Sequence, residues 1–358
     1  MVQTIAGENN DGVARNLVLA SGWNSTCYQI LNSGISRWVS ADQYALVGFV
    51  RANGIAVVAG APVCQLDRLG QTANEWEGYA AGQGMGVCYF GAEGRLREHL
   101  RNRAGYTLVV LGWQPEWTPK SFIEKMQSEP SLRAQLNRVR NKRVTIEEWP
   151  REQAENHPGL RLALKEWLQH RGLPPLHFLV EPETLSDLRD RRIFVAHRDG
   201  EVLAFVTLCP VPARNGWLTE QYVRRSSAPN GVIESLLFRG ASAIAEAGAE
   251  YLTMGMVPLA ERGVVEGAST PNWMRPILGW AKAHGNRFYN FQGLEAFKAK
   301  FRPDSWQPVS VIVKADTFQW RHLRAIGAAF AHGSPELAVA KGLLRAAAHE
   351  TRSLIARN

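Results

Sequence analysis

Cysteine is scarce in this chain. Four occur among 358 residues (Cys27, Cys64, Cys88 and Cys209), no two form a Cys-x-x-Cys pair, and no histidine stands at zinc-ligand spacing from them. A disulfide scaffold and a zinc ribbon are excluded, and the four are expected as buried free thiols in a reducing compartment. Long apolar runs are missing as well. The most apolar stretch, 44–63, is interrupted by Arg51 and Asn53, short of the roughly 18 uninterrupted apolar residues of a membrane span. The first 23 residues lack the basic start and apolar run of a signal peptide. The expectation is a cytoplasmic protein, at most peripheral on the inner face of the cytoplasmic membrane.

Cofactor signatures are thin too. Gly84-x-Gly86 lies before an apolar strand pattern, whereas a dinucleotide fingerprint needs strand, glycines and helix in that order. The nine histidines are scattered, and neither a Ser/His/Asp set nor a metal-ligand set can be assembled from spacing. Neither metal nor cofactor is therefore expected.

What is present describes an ordinary globular chain. Apolar residues make up 45% and charged residues 21%, and the length suits two domains. Forty-one Lys and Arg outweigh 33 Asp and Glu, for a net charge of +8. Such an excess favours polyanionic partners and says nothing about fold.

The apolar pattern 44–63 reads as two strands joined at Ala52-Asn53-Gly54, followed by a helix over 72–82 and strands over 85–92 and 106–113. Polar residues 118–149 read as an interdomain helix, with Leu132, Leu136 and Val139 at helical spacing, leading into a strand over 143–149. A second hairpin turns at Asp199-Gly200, then a strand over 216–225, the loop Ser226–Gly231, a helix ending at Gly248 and a strand over 249–257. Hairpin, strand, loop, helix, strand is the core order of the acetyltransferase-like (GNAT) fold, and the first half shows a weaker version of it. The fold class expected is α/β with mixed sheets: two tandem GNAT-like domains, 1–125 and 126–314, and a helical tail, 315–358. In the tail, Trp320, Leu323, Ile326 and Phe330 fall at 3–4 spacing; the tail either packs on the domains or lies on an anionic membrane.

Several residues could carry chemistry. Asn230 and Gly231 stand where strand gives way to helix, either as an anion site or as a capping turn with Asn230 as N-cap. The Gly-x-Gly pyrophosphate motif of acetyltransferases is absent there. Arg133, Asn137 and Arg140 fall on one helix face, as a phosphate-binding stripe or a solvated surface. Glu220, Tyr222 and Arg224 alternate along one strand and so are expected to share a face; Glu220 is either a base or the ion-pair partner of Arg224. Glu234 lies one helical turn past Asn230.

The stretch "FYNFQGLEAFKAKFRPDSW", 288–306, sets Lys298, Lys300 and Arg302 among six aromatic residues. With "APNGVIESLL", "LRAQLNRVRNKRVTIEEW" and "VVAGAPV" in the same order, it resembles the catalytic domain of the phosphatidylglycerol lysyltransferase (aminoacyl-phosphatidylglycerol synthase) family across about residues 35–314. The resemblance implies transfer of an amino acid from aminoacyl-tRNA to the hydroxyl of phosphatidylglycerol or a related lipid, with aminoacyl-tRNA as co-substrate and no acetyl-CoA. Lys298, Lys300 and Arg302 would then grip phosphate, with Tyr289, Asn290, Arg224, Asn230, Gly231, Arg133 and Arg140 as further substrate contacts. Glu220 and Glu234 would handle the proton or the aminoacyl ammonium. One departure stands out: a family Gly-Asp-Pro is Gly60-Ala61-Pro62 here. An acyl-CoA N-acyltransferase and a noncatalytic tRNA- or lipid-binding relative are the alternatives.

Overall fold

A computed structural model of the chain describes residues 11–169, 177–284 and 291–331. The strands are β1 (Ser36–Val39), β2 (Leu46–Ala52), β3 (Ile55–Ala59), β4 (Gly86–Ala92), β5 (Thr107–Trp117), β6 (Thr145–Trp149), β7 (Arg192–Arg198), β8 (Glu201–Val211), β9 (Gly216–Arg224), β10 (Tyr251–Thr253), β11 (Val257–Pro258) and β12 (Ser305–Val313). The helices are α1 (Asp11–Ser21), α2 (Leu69–Gly82), α3 (Gly94–Leu100), α4 (Pro119–Ser128), α5 (Pro130–Asn141), α6 (Arg151–Ala154), α7 (Pro158–Gln169), α8 (Val232–Glu246), α9 (Met274–His284), α10 (Phe291–Ala299) and α11 (Trp320–Ala331). Among the described residues all twelve strands join one sheet in the order β1-β2-β3-β4-β12-β5-β10-β9-β8-β7-β6, with β11 beside β5.

The sheet is antiparallel except at two places, β3 beside β4 and β9 beside β10. Each parallel pair is joined by one crossover helix, α2 or α8, and each follows a hairpin. Asn53 and Gly54 turn the first hairpin and Asp199 and Gly200 the second, all four at positive φ, which the right-handed twist of paired strands favours. These are the two GNAT-like units. Strand β12 follows the second unit in sequence yet lies between β4 and β5 of the first, so the sheet runs through both units without a break.

Three local features differ from expectation. The interdomain helix is two helices, because Glu129 is extended and Pro130 opens α5; proline forces its predecessor out of the helical region. The strand over 249–257 is two short ones, broken where Gly255 takes φ +72°. In β9 the register slips: Thr207 faces Gln221 while Leu208 faces Thr219. Glu220 is therefore the extra residue of a β-bulge, and alternation restarts after it.

Apolar faces of both units are filled by buried clusters. Trp38 and Phe49 pack against Trp76 of α2, and Leu236, Leu237 and Ile244 of α8 pack on the second unit with Phe194 and Phe301. Helix α11 seats His322, Ala325, Ile326 and Ala329 against the first unit, so this part of the tail packs on the fold. Residues 332–358 lie outside the described residues.

Candidate active site

Helix α10 gives the aromatic-basic stretch its form. Phe297 and Phe301 meet edge to face at 5.3 Å, Phe301 stacks on Phe122, and Phe297 packs edge to face on Tyr222. This aromatic wall fixes where the neighbouring lysines go. Lys298 is 3% exposed, and its Nζ donates to the carbonyls of Met254 (2.6 Å), Gly255 (2.8 Å) and Met256 (3.1 Å). Those acceptors are available because the turn at Gly255 takes them out of the β-ladder. Burial pushes the Lys298 ammonium down to about 7, while three carbonyls favour its charged form. All three of its N–H groups are committed to backbone, which leaves none to grip a phosphate.

Lys300 is placed differently. Its Nζ lies 4.2 Å from the centroid of the Phe297 ring and 5.0 Å from that of Phe301, and it ion-pairs with the Glu234 carboxylate. Cation–π contact of this kind holds an ammonium in place at modest cost in hydration. Glu234 is buried in the first turn of α8, where the helix dipole favours a negative charge. Arg302, at φ +49°, reaches Glu129 across 2.5 Å with most of its side chain in solvent.

The start of α8 is capped by Gly231 at φ +95°, without a side-chain cap bond; Asn230 is exposed and is not the cap. A Cβ at Gly231 would lie 2.7 Å from the carbonyl oxygen of Gln135. Glycine is thus required twice, by conformation and by the close approach of α5. The same contact sets a carbonyl oxygen of α5 against the glycine that opens α8. Arg133 and Arg138 on α5, Lys142 and Arg143 just after it, and Arg224 at the end of β9 are exposed, and none has a carboxylate partner among the described residues. Arg140 donates to Asn137 at 2.9 Å.

Glu220 does not join this group. Gln29 donates to it at 2.9 Å, and Arg191 binds it through two N–H groups at 2.7 and 3.0 Å. The bulge corrects two expectations. Glu220 is turned away from the face of Tyr222, whose ring packs on Phe297 and whose hydroxyl donates to the Met254 carbonyl. Its ion-pair partner is Arg191, not Arg224, which points into solvent. Tyr289 and Asn290 lie outside the described residues.

A second polar cluster, between the two units, went unread in the sequence. Glu93 accepts from the backbone N–H and hydroxyl of Ser25 at 2.7 and 2.6 Å; Arg214 holds Glu116 through two N–H groups at 2.9 and 3.0 Å; Tyr251 donates to Glu116 at 3.1 Å and receives Gln114. Burial pushes the Glu93 carboxyl up, against the pull of Ser25 and Arg214. Trp23 is flanked by Arg95 and Arg214, each 4.8 Å from its ring centroid, and it lines a small cleft with Ala61. The partners sit 68 to 137 positions apart, so no spacing rule joins them.

Two GNAT-like units sharing one sheet, with α5 packed against the glycine that opens α8, define an acyltransferase-type scaffold. Residues 15–313 match the family "Phosphatidylglycerol lysyltransferase, C-terminal", and the chain belongs to that family. It is 26% identical over 279 residues to a phosphatidylglycerol lysyltransferase of Bacillus subtilis (strain 168), covering 75% of this chain and 31% of the relative. It is 21% identical over 318 residues to one of Staphylococcus haemolyticus, covering 86% and 36%. The chain thus spans about a third of the length of these relatives. Among solved structures, L-PGS from Bacillus licheniformis superposes with a TM-score of 0.73 at 20% identity, over 96% of this chain and 98% of that one. The C-terminal domain assigned as a lysylphosphatidylglycerol synthetase in Agrobacterium fabrum gives 0.75 at 20%, over 91% and 98%. At these identities the superpositions speak for the fold.

Proposed function

We propose that this chain is an aminoacyltransferase that moves an amino acid from aminoacyl-tRNA to a hydroxyl of phosphatidylglycerol or a related anionic lipid at the membrane surface. The observation that carries the reading is the family match along residues 15–313 together with the assembled Phe297-Lys298-x-Lys300-Phe301 group against Glu234. The names of the relatives support the lipid acceptor.

In the reaction, the acceptor hydroxyl oxygen attacks the aminoacyl ester carbon and the bond to the tRNA ribose oxygen breaks. The hydroxyl proton passes to that ribose oxygen. One ester replaces another, so the step is nearly isoenergetic and rests on positioning and on stabilising the tetrahedral oxyanion. Lys300 serves as the donor toward that oxyanion or the adjacent phosphate. Glu234, freed from Lys300 as substrate enters, takes the aminoacyl ammonium or the hydroxyl proton. Lys298 is a positioning residue that fixes the 254–256 turn below them. Arg133, Arg138, Lys142, Arg143 and Arg224 offer a phosphate-binding surface for the tRNA acceptor end, whose affinity would fall with salt. The Gln135 carbonyl against Gly231 disfavours an acyl-CoA pyrophosphate at the same helix start.

The test incubates the purified chain with a panel of labelled aminoacyl-tRNAs and detergent micelles of phosphatidylglycerol. Label in the extracted lipid, lost in Lys300→Ala, is the expected result and identifies the amino acid. Transfer RNA that stays charged throughout contradicts the reading.

A further inference from the structure

On the side of the sheet that carries α11, apolar side chains remain in water. Trp320 is 56% exposed, Trp273 37% and Ile277 38%. The two indoles meet at 6.0 Å, and Trp273 also stacks on Phe318 at 6.3 Å while its Nε1 donates to the Phe318 carbonyl. Two aromatic side chains held this rigidly form a preset ledge, with little conformational entropy left to lose on contact. Beside them stand Arg275 and Arg321, both exposed and without a carboxylate partner among the described residues. The surrounding sequence carries no acid at all: 267–294 and 317–335 contain neither Asp nor Glu. A solvated helix face ordinarily balances its charges at i, i+4; α9 and α11 do not.

We propose that this ledge docks the protein on an anionic bilayer. Exposed tryptophan with a neighbouring aliphatic residue suits the headgroup–acyl boundary, where an indole keeps its polar edge wet and buries its ring. Unpaired arginines beside it complement a negative leaflet surface. No helix among the described residues is long and apolar enough to cross a membrane, so contact at the interface is the mode these elements support. The inference rests on the lipid reading above for its purpose, but its measurement is independent of catalysis.

The experiment is flotation of the purified chain with vesicles of phosphatidylglycerol and phosphatidylcholine in equal parts, against pure phosphatidylcholine. Binding to the anionic vesicles that weakens with salt is expected. Arg275→Glu with Arg321→Glu should weaken it by at least about thirtyfold, the figure for losing two basic residues at on the order of a kilocalorie each, with the added negative charges repelled besides. Trp320→Ser should weaken it severalfold at unchanged thermal midpoint. Wild-type protein that fails to float, or variants that float as well as wild type, overturn the proposal. So does a dimer in sedimentation that Trp320→Ser dissociates with vesicle binding intact, which would make the ledge a contact between copies. Transfer to lipid in micelles should survive the arginine reversals; absence of transfer in the wild type would count against the transferase reading and leave the flotation result standing.

Discussion

Each GNAT-like unit buries a glutamate in its crossover helix and meets it with a lysine from one end of β12, yet the two carboxylates live in different worlds. Glu77 of α2 has no exposed side-chain surface. Tyr89 donates to it at 2.9 Å, Tyr106 at 2.7 Å and Lys314, just past β12, at 2.6 Å. Its acceptor positions are filled from three sides, and burial, with Glu77 beside it, pushes the Tyr89 phenol well above its usual range. Glu234 of α8 has Lys300, just before β12, as its one side-chain partner among the described residues, with no tyrosine donor beside it. A saturated carboxylate is architecture. A carboxylate with one movable partner is available to a substrate, which is why the second unit is taken as the reacting one.

The comparison can be broken most forcefully at Lys298. Lys298→Ala would strand three buried carbonyls and open a cavity, a loss of about 2–4 kcal/mol in urea unfolding; Lys298→Met should recover the cavity part alone. Because burial lowers the Lys298 pKa from 10.5 to about 7, the unfolded chain holds the extra proton between those values. Wild type should therefore gain stability relative to Lys298→Met as pH rises from about 7 to 10.5. A flat difference would mean that the carbonyls hold the ammonium charged throughout.

Gly231→Ala comes next, with about 1–3 kcal/mol lost to the left-handed backbone and the Gln135 contact; an unchanged midpoint would mean that α5 can yield. On the first-unit side, Glu77→Gln should cost about 1–2 kcal/mol and leave turnover within threefold. The smallest effect is expected at His322, whose Nδ1 accepts the Gln319 N–H at 2.9 Å and whose pKa falls from 6.5 to about 4 through burial and the nearby Arg321. A neutral imidazole in the fold contributes stability above pH 6.5 that is lost as pH falls toward 4. His322→Gln should flatten that acid limb, read by thermal melts at matched pH.

Much of this arrangement can be read from the residues themselves. Asn53-Gly54 and Asp199-Gly200 declare their hairpins because two consecutive positive-φ positions suit few other pairs. Gly248, at φ +80°, closes α8 as its place after the helix implies. The bulge at Glu220 is silent, since no glycine or proline marks it and one extra residue reverses a whole face. Nor does local pattern show that β12 crosses into the first unit, because strand partners are chosen by the assembled sheet. The site follows the same division. Lys298, Lys300 and Glu234 are recognisable as types, but only the turn at Gly255 shows that one lysine serves backbone while the other meets a carboxylate.

The measurement closest to the central claim compares single-turnover transfer to lipid in two variants, Glu234→Gln and Glu77→Gln, beside wild type. Loss of about a hundredfold or more in the first, with the second within threefold, is the predicted result. Equal losses, or a loss confined to Glu77→Gln, would contradict the assignment of the reaction to the second unit.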